Sequence, residues 1–160
     1  MSTTVEETVV PAGSTDRARE TWRLKEQIRR EEDVLKQRRG FFMSAYRRAR
    51  VHLLESDDDL LAFAVVRTDG YLLFLGVHPA HRGEGLGERL VAAVTAESGP
   101  VTCHARTTNE EALGFYEHLG FERVRRIDGY YEDGGDAYYL RLGDGEGQRL
   151  RDRLSRFLRR

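Results

Sequence analysis

Apolar residues recur along this chain with two periods. Leu86, Leu90 and Val94 fall four apart, and Trp22, Leu24, Ile28 and Leu35 make a looser stripe; both predict helices with one buried face. Residues 51–54, 60–66, 71–77, 101–106, 122–127 and 137–142 are short apolar or alternating runs of strand length, and residues 5–10 are a candidate first strand closed by Pro11-Ala12-Gly13. Turn signals separate them. Asp57-Asp58-Asp59 and Asp69-Gly70 join three strands into an antiparallel meander. Ser14 or Thr15 reads as an N-cap of the first helix, Gly40 as the break before a second helical piece around Phe41-Phe42-Met43, and Ser98-Gly99-Pro100 as a helix stop. Residues 101–106 follow a crossover, so this fifth strand is expected parallel to the one before it. A last stripe, Leu150, Leu154, Phe157 and Leu158, predicts an added helix over 148–160 after the domain of residues 1–147.

The centre of the pattern is residues 71–96, where a strand passes into a helix through Arg82-Gly83-Glu84-Gly85-Leu86-Gly87. Three glycines allow the backbone to approach a ligand, and the new helix begins with amides that have no acceptor of their own. Such a junction suits a phosphate. It is not a dinucleotide fingerprint, because Glu88 stands where the third glycine would be, and it is not a P-loop, because no Gly-Lys-Ser/Thr follows. A second stretch, residues 107–121, carries Thr108 or Asn109 as an N-cap, Glu110 and Glu111 in a first helical turn, and Gly120 as the stop. Asn109, Ala112 and Tyr116 share one face of that helix.

Composition narrows the classes. At 160 residues, 39% hydrophobic, with seven Phe and seven Tyr, the chain suits one globular domain with its own core. The longest apolar run is far too short to span a bilayer and the N-terminus is not apolar, which predicts a cytoplasmic protein without a membrane span. A formal charge of −1 gives no reason to expect a nucleic-acid partner, although the first helices and the tail are rich in arginine. Cys103 is the single cysteine, so no internal disulfide forms, and no Cys/His cluster has metal spacing.

Together the two motifs resemble the GNAT superfamily of N-acetyltransferases. Arg82, Gly85 and Gly87 match its Arg/Gln-x-x-Gly-x-Gly/Ala loop, and Asn109, Ala112, Tyr116, Gly120 and Phe121 match its second motif. The resemblance covers residues 51–142 and implies an α/β layered fold: a mixed, mostly antiparallel central sheet flanked by helices, here with an added C-terminal amphipathic helix. It implies acetyl-CoA as cosubstrate and no metal. The backbone of Leu75, Gly76 and Val77 would hold the pantetheine arm, and amides of Arg82, Gly83, Glu84, Gly85, Leu86 and Gly87 the pyrophosphate. Asn109 would help hold the cofactor near Tyr116, which would protonate the departing thiolate. Phe41, Phe42, Tyr130 and Tyr131 would line the acceptor groove.

The tyrosine pair followed by Asp136-Ala137 is similar to acetyltransferases of protein N-terminal α-amines, including those acting on ribosomal-protein alanine. That group places a glutamate where this chain has His104, and Tyr71 supplies no carboxylate either, so His104 or a water is the expected base. An imidazole with an ordinary pKa of about 6.5 suits an α-amine near 8 better than a lysine near 10.4. A small-molecule amine acceptor and a noncatalytic acyl-CoA-binding module remain as alternatives. Each residue also has a plainer reading: Tyr116 as core aromatic, Asn109 as cap alone, His104 as a hydrogen-bonded strand residue. The tail can pack on its own domain or on a second copy in a homodimer.

Overall fold

The computed structural model describes residues 4–158; side chains of Phe157 and Leu158, and all of Arg159 and Arg160, lie outside the described residues. Two antiparallel ladders carry the fold. The first runs β1-β2-β3-β4, from Glu6–Val10, Arg50–Ser56, Asp59–Val66 and Leu72–Val77. The second runs β5-β7-β6, from Val101–Arg106, Ala137–Leu142 and Glu122–Ile127. Helices α1 (Ala18–Glu32), α2 (Arg39–Arg48), α3 (Leu86–Ser98), α4 (Glu110–Leu119) and α5 (Asp144–Leu158) complete the expected α/β, mostly antiparallel arrangement. The fold divides after Val94 into two compact units.

Local chemistry accounts for most boundaries. Asp57 and Asp58 both take positive φ, 50° and 68°, as a two-residue hairpin turn demands, and aspartate tolerates that region better than most residues. Gly70, at φ 89°, closes the next turn by donating to the Arg67 carbonyl at 2.9 Å. Two expectations need correction. The N-cap of α1 is Arg17 in a left-handed conformation, not Ser14 or Thr15; Ser14 Oγ instead accepts from the Asp16 amide at 3.1 Å, forming a turn before the helix. The break between α1 and α2 lies at residues 33–38, where Asp33 caps α1 with φ 56°, and Gly40 falls inside the first turn of α2. The ladder partner of β5 is β7, antiparallel throughout its length, because β7 returns beside it after the β6 hairpin.

In the first unit α1 and α2 cover one face of the four-stranded ladder, burying Leu24, Ile28, Phe42 and Tyr46 with Val51, Leu53, Phe63, Val65 and Phe74. Lys25 is fully buried among them, and its Nζ donates to the Gln37 carbonyl while lying 4.5 Å from the centre of the Trp22 ring. Burial pushes this ammonium below the usual lysine range, and the bond to Gln37 ties the interhelical loop to α1. In the second unit α5 starts at Asp144, four residues ahead of the expected 148; Leu150 is buried and Arg151 donates to Thr95 Oγ1 at 2.8 Å, so the helix packs on its own unit.

Gly76 on β4 sits opposite Phe63, and a Cβ built there would lie 2.7 Å from Phe63 Cε1 and 2.8 Å from Ile28 Cδ1. Both neighbours are fully buried and cannot swing away. Gly76→Ala should therefore overpack the core and cost about 1–3 kcal/mol, read as a lower urea midpoint with unchanged slope. An unchanged midpoint would mean that this contact relaxes freely.

Candidate functional site

The junction after β4 is built to present backbone rather than side chains. A 3₁₀ turn at Pro79–His81 begins with the His78 ring accepting from the Ala80 amide at 3.1 Å. Gly83 and Gly85 then take φ of 79° and 77°, a region in which side-chain-bearing residues are strained, and a Cβ at either would meet nothing within 4 Å. The Gly85 carbonyl accepts from the Arg89 amide at 3.1 Å, so α3 starts there and its leading amides have no acceptor within the helix.

The charged side chains of the loop are engaged locally. Arg82 pairs with Glu32 and donates from Nε to the Val77 carbonyl at 3.1 Å, bracing the loop on α1 and β4, and Glu84 lies 3.2 Å from the His81 ring. Attraction for an anion must therefore come chiefly from amides and the positive end of the α3 dipole.

In the second unit, α4 is fixed at both ends. Asn109 Oδ1 accepts from the Ala112 amide at 3.1 Å, while Gly120 at φ 108° lets the Phe121 amide return to the Tyr116 carbonyl at 3.0 Å. Tyr116 is held by its own helix stop. Its ring lies 5.2 Å from Phe115 and 5.0 Å from Phe121, and its side chain lies near the Cys103 thiol. Burial pushes that thiol up to about 12, outweighing the opposing effect of the tyrosine, so Cys103 is no nucleophile near neutrality.

His104 projects from β5 into a run of rings. Tyr130 stacks on it, with centroids 4.3 Å apart and planes at 11°, and Tyr139, its partner across the ladder, lies at 5.0 Å. Tyr131 meets Tyr130 edge-on at 5.0 Å, the Arg106 guanidinium lies 4.0 Å over Tyr131, and Arg125 lies 5.1 Å over Tyr139. Burial, and secondarily the positive charge of Arg125, holds His104 below the ordinary imidazole range. It is therefore neutral at pH 7 and able to accept a proton.

The expected residues thus fall in two groups. Leu75 to Val77 and Arg82 to Gly87 belong to the first unit, with Phe41, which is 59% exposed and edge-on to Phe74 at 6.1 Å. Phe42 is a correction: it is fully buried between Trp22, Tyr46, Phe63 and Phe74, so it is core rather than a groove residue. Asn109, Tyr116, His104, Tyr130 and Tyr131 belong to the second unit, where the last three form one stack. Sequence reasoning missed Arg106 and Asp133, and marked Asp136 only as a point of resemblance; all three organise the β6–β7 loop, through partners that no local pattern announces. Among the described residues no group of three or more His, Cys, Asp or Glu is placed to hold a metal, and no helix is long and apolar enough to cross a membrane.

Residues 47–123 match the family model described as an acetyltransferase (GNAT) domain. Over 75 residues the chain is 40% identical to N-alpha-acetyltransferase RimI of Mycobacterium tuberculosis, covering 45% of this chain and 48% of the relative. Over 78 residues it is 42% identical to N-alpha-acetyltransferase MAK3 of Arabidopsis thaliana, covering 46% and 41%. The aligned part spans about half or less of these curated relatives. The same fold occurs in the ribosomal-protein alanine N-acetyltransferase of Escherichia coli, with a TM-score of 0.66 at 21% identity over 86% of this chain and 93% of that one. It also occurs in Arabidopsis thaliana NAA60 crystallised with acetyl-CoA, with a TM-score of 0.65 at 21% identity over 86% and 99%.

The setting of His104 predicts its titration. Its native pKa is depressed relative to the unfolded chain, so the stability linked to it is present above the unfolded value, about 6.5, and is lost as pH falls below it. The imidazole resonances should show a midpoint below that value by NMR, and Arg125→Gln should move the midpoint upward by removing the lesser of the two causes. A midpoint at or above the ordinary value in the parent would contradict the burial account.

Proposed function

We propose, from the match of residues 47–123 to the acetyltransferase (GNAT) domain, that the protein transfers an acetyl group from acetyl-CoA to an amine, most suitably the N-terminal α-amine of a peptide or protein. The observation that carries the reading is the glycine loop opening α3, with two left-handed glycines and uncluttered space in front of helix-start amides. A pyrophosphate fits such a cradle. The α-amine acceptor is supported by the names of the relatives, which are N-alpha-acetyltransferases, and by the neutral imidazole at His104.

Acetyl-CoA supplies an activated acetyl thioester when bound. The chain's own groups then have three tasks. Amides from Arg82 to Gly87 hold the diphosphate, and backbone of β4 from Leu75 to Val77 aligns the pantetheine arm. His104, directly or through water, takes the proton that the amine loses as its nitrogen forms the new C–N bond. Tyr116 gives its hydroxyl proton to the sulfur as the C–S bond breaks, so that one thiol leaves for each amide formed. Holding the amine and the thioester together contributes the remainder.

Thiol release measured across a panel of peptides with free or blocked N-termini, polyamines and aminoglycosides tests this reading. Turnover confined to free-N-terminal peptides supports it. Turnover only with the small amines would reassign the acceptor, and CoA binding without turnover would make the protein a noncatalytic acyl-CoA module. Gly85→Val places a β-branched residue at φ 77° in the loop and should abolish tight CoA binding by calorimetry while leaving the domain folded; the parent's affinity in a folded variant would refute the cradle. Tyr116→Phe removes only the donor proton and should lower kcat by about 10²-fold or more with little change in melting. Undiminished turnover in a chemistry-limited assay would return Tyr116 to a packing role.

A further inference from the structure

We propose that Arg106, paired with Asp133, is the positioning residue of the acceptor side of the site: it fixes the β6–β7 loop so that Tyr131 and Tyr130 cover His104. The inference rests on the acetyltransferase reading for its kinetic consequence, and on geometry alone for the clamp itself.

Arg106 ends β5 and spans 27 residues to the loop. Its two terminal nitrogens meet the two oxygens of Asp133 at 3.1 and 3.0 Å, the fork-to-fork arrangement that holds direction as well as charge. Its flat face rests on Tyr131 at 4.0 Å. Asp133 also accepts from the Gly135 amide at 2.9 Å, and the guanidinium passes so close to Gly135 that a Cβ there would push Arg106 Nη1 from its place. Tyr131 donates its amide to the Gly135 carbonyl at 3.0 Å and accepts from the Gly134 amide at 2.9 Å, closing a small ring of the loop on itself. The other end is tied separately: Asp136 accepts from the Gly129 amide at 2.9 Å and from Arg126 at 2.7 Å.

Order therefore passes from Arg106 to Tyr131, from Tyr131 to Tyr130, and from Tyr130 to the imidazole. Tyr130 is 43% exposed and stacks on His104, which also faces Tyr139 and the charge of Arg125. Both Arg106 and Asp133 are exposed enough that an isolated ion pair between them would add little stability. The arrangement serves placement instead.

Arg106→Met keeps the stem and removes the fork; Asp133→Asn, in an exposed loop, removes the charge with no risk to the core; Arg106→Lys keeps charge without the fork. In the two neutralising variants the KM for an acceptor peptide should rise several-fold while the KM for acetyl-CoA stays at the parent value. Without the ring cover, the NMR midpoint of His104 should move up toward the ordinary imidazole value of about 6.5. Arg106→Lys should recover part of both effects. The double variant should be no worse than either single one, as expected for one shared interaction. An unchanged acceptor KM and His104 midpoint in folded variants would overturn the proposal, as would an equal rise in both KM values. If the parent releases no thiol with any acceptor, the functional reading fails instead, and the His104 midpoint still decides the clamp.

Discussion

An α-helix cannot satisfy its own leading amides, and in this protein they are placed after the end of a strand, behind two glycines in left-handed backbone, where a side chain would be strained. Much of the first unit serves to hold that point still. The β3–β4 ladder fixes the strand, Gly76 admits α1 and Phe63 against it, and Arg82 braces the loop through Glu32 at the end of α1. Arg82, the loop's cation, is engaged by Glu32, so a phosphate bound there would be held by directed N–H groups rather than by a cationic surface.

The second unit solves a different problem, the placing of two titratable side chains. Tyr116 is set by a helix whose two caps are both sequence-local, with its carbonyl captured by Phe121 one turn beyond. His104 is set by a strand and covered by a loop, and its neutrality follows from burial under rings beside Arg125. The thiol of Cys103 lies near Tyr116 yet is kept protonated by burial, so it adds no competing nucleophile beside the tyrosine.

What could be read from the sequence was local. Strand and helix runs, the Asp57-Asp58 and Asp69-Gly70 turns, the Asn109 and Gly120 caps and the glycine loop are set by residues within a turn or two of one another, and their periodicity and backbone preferences survive folding unchanged. The glycine loop and the Asn109–Phe121 helix were therefore recognisable as motifs before any tertiary contact was known.

Only tertiary structure could decide which of two adjacent phenylalanines is core. Phe41 and Phe42 are identical in sequence terms, but α2 turns Phe42 onto Phe63 and Phe74 and leaves Phe41 exposed. The left-handed Arg17 start of α1, paired with Glu55 on β2, and the burial of Lys25 under the Gln37 carbonyl likewise depend on chain brought from elsewhere. So does the bond from Arg106 to Asp133, which joins a strand end to a loop through groups whose spacing along the chain carries no period. Hydrophobic period and cap chemistry act over a few residues, whereas burial and charge pairing are decided by whatever the fold delivers, and for that reason the motifs of this protein were written in its sequence and their supports were not.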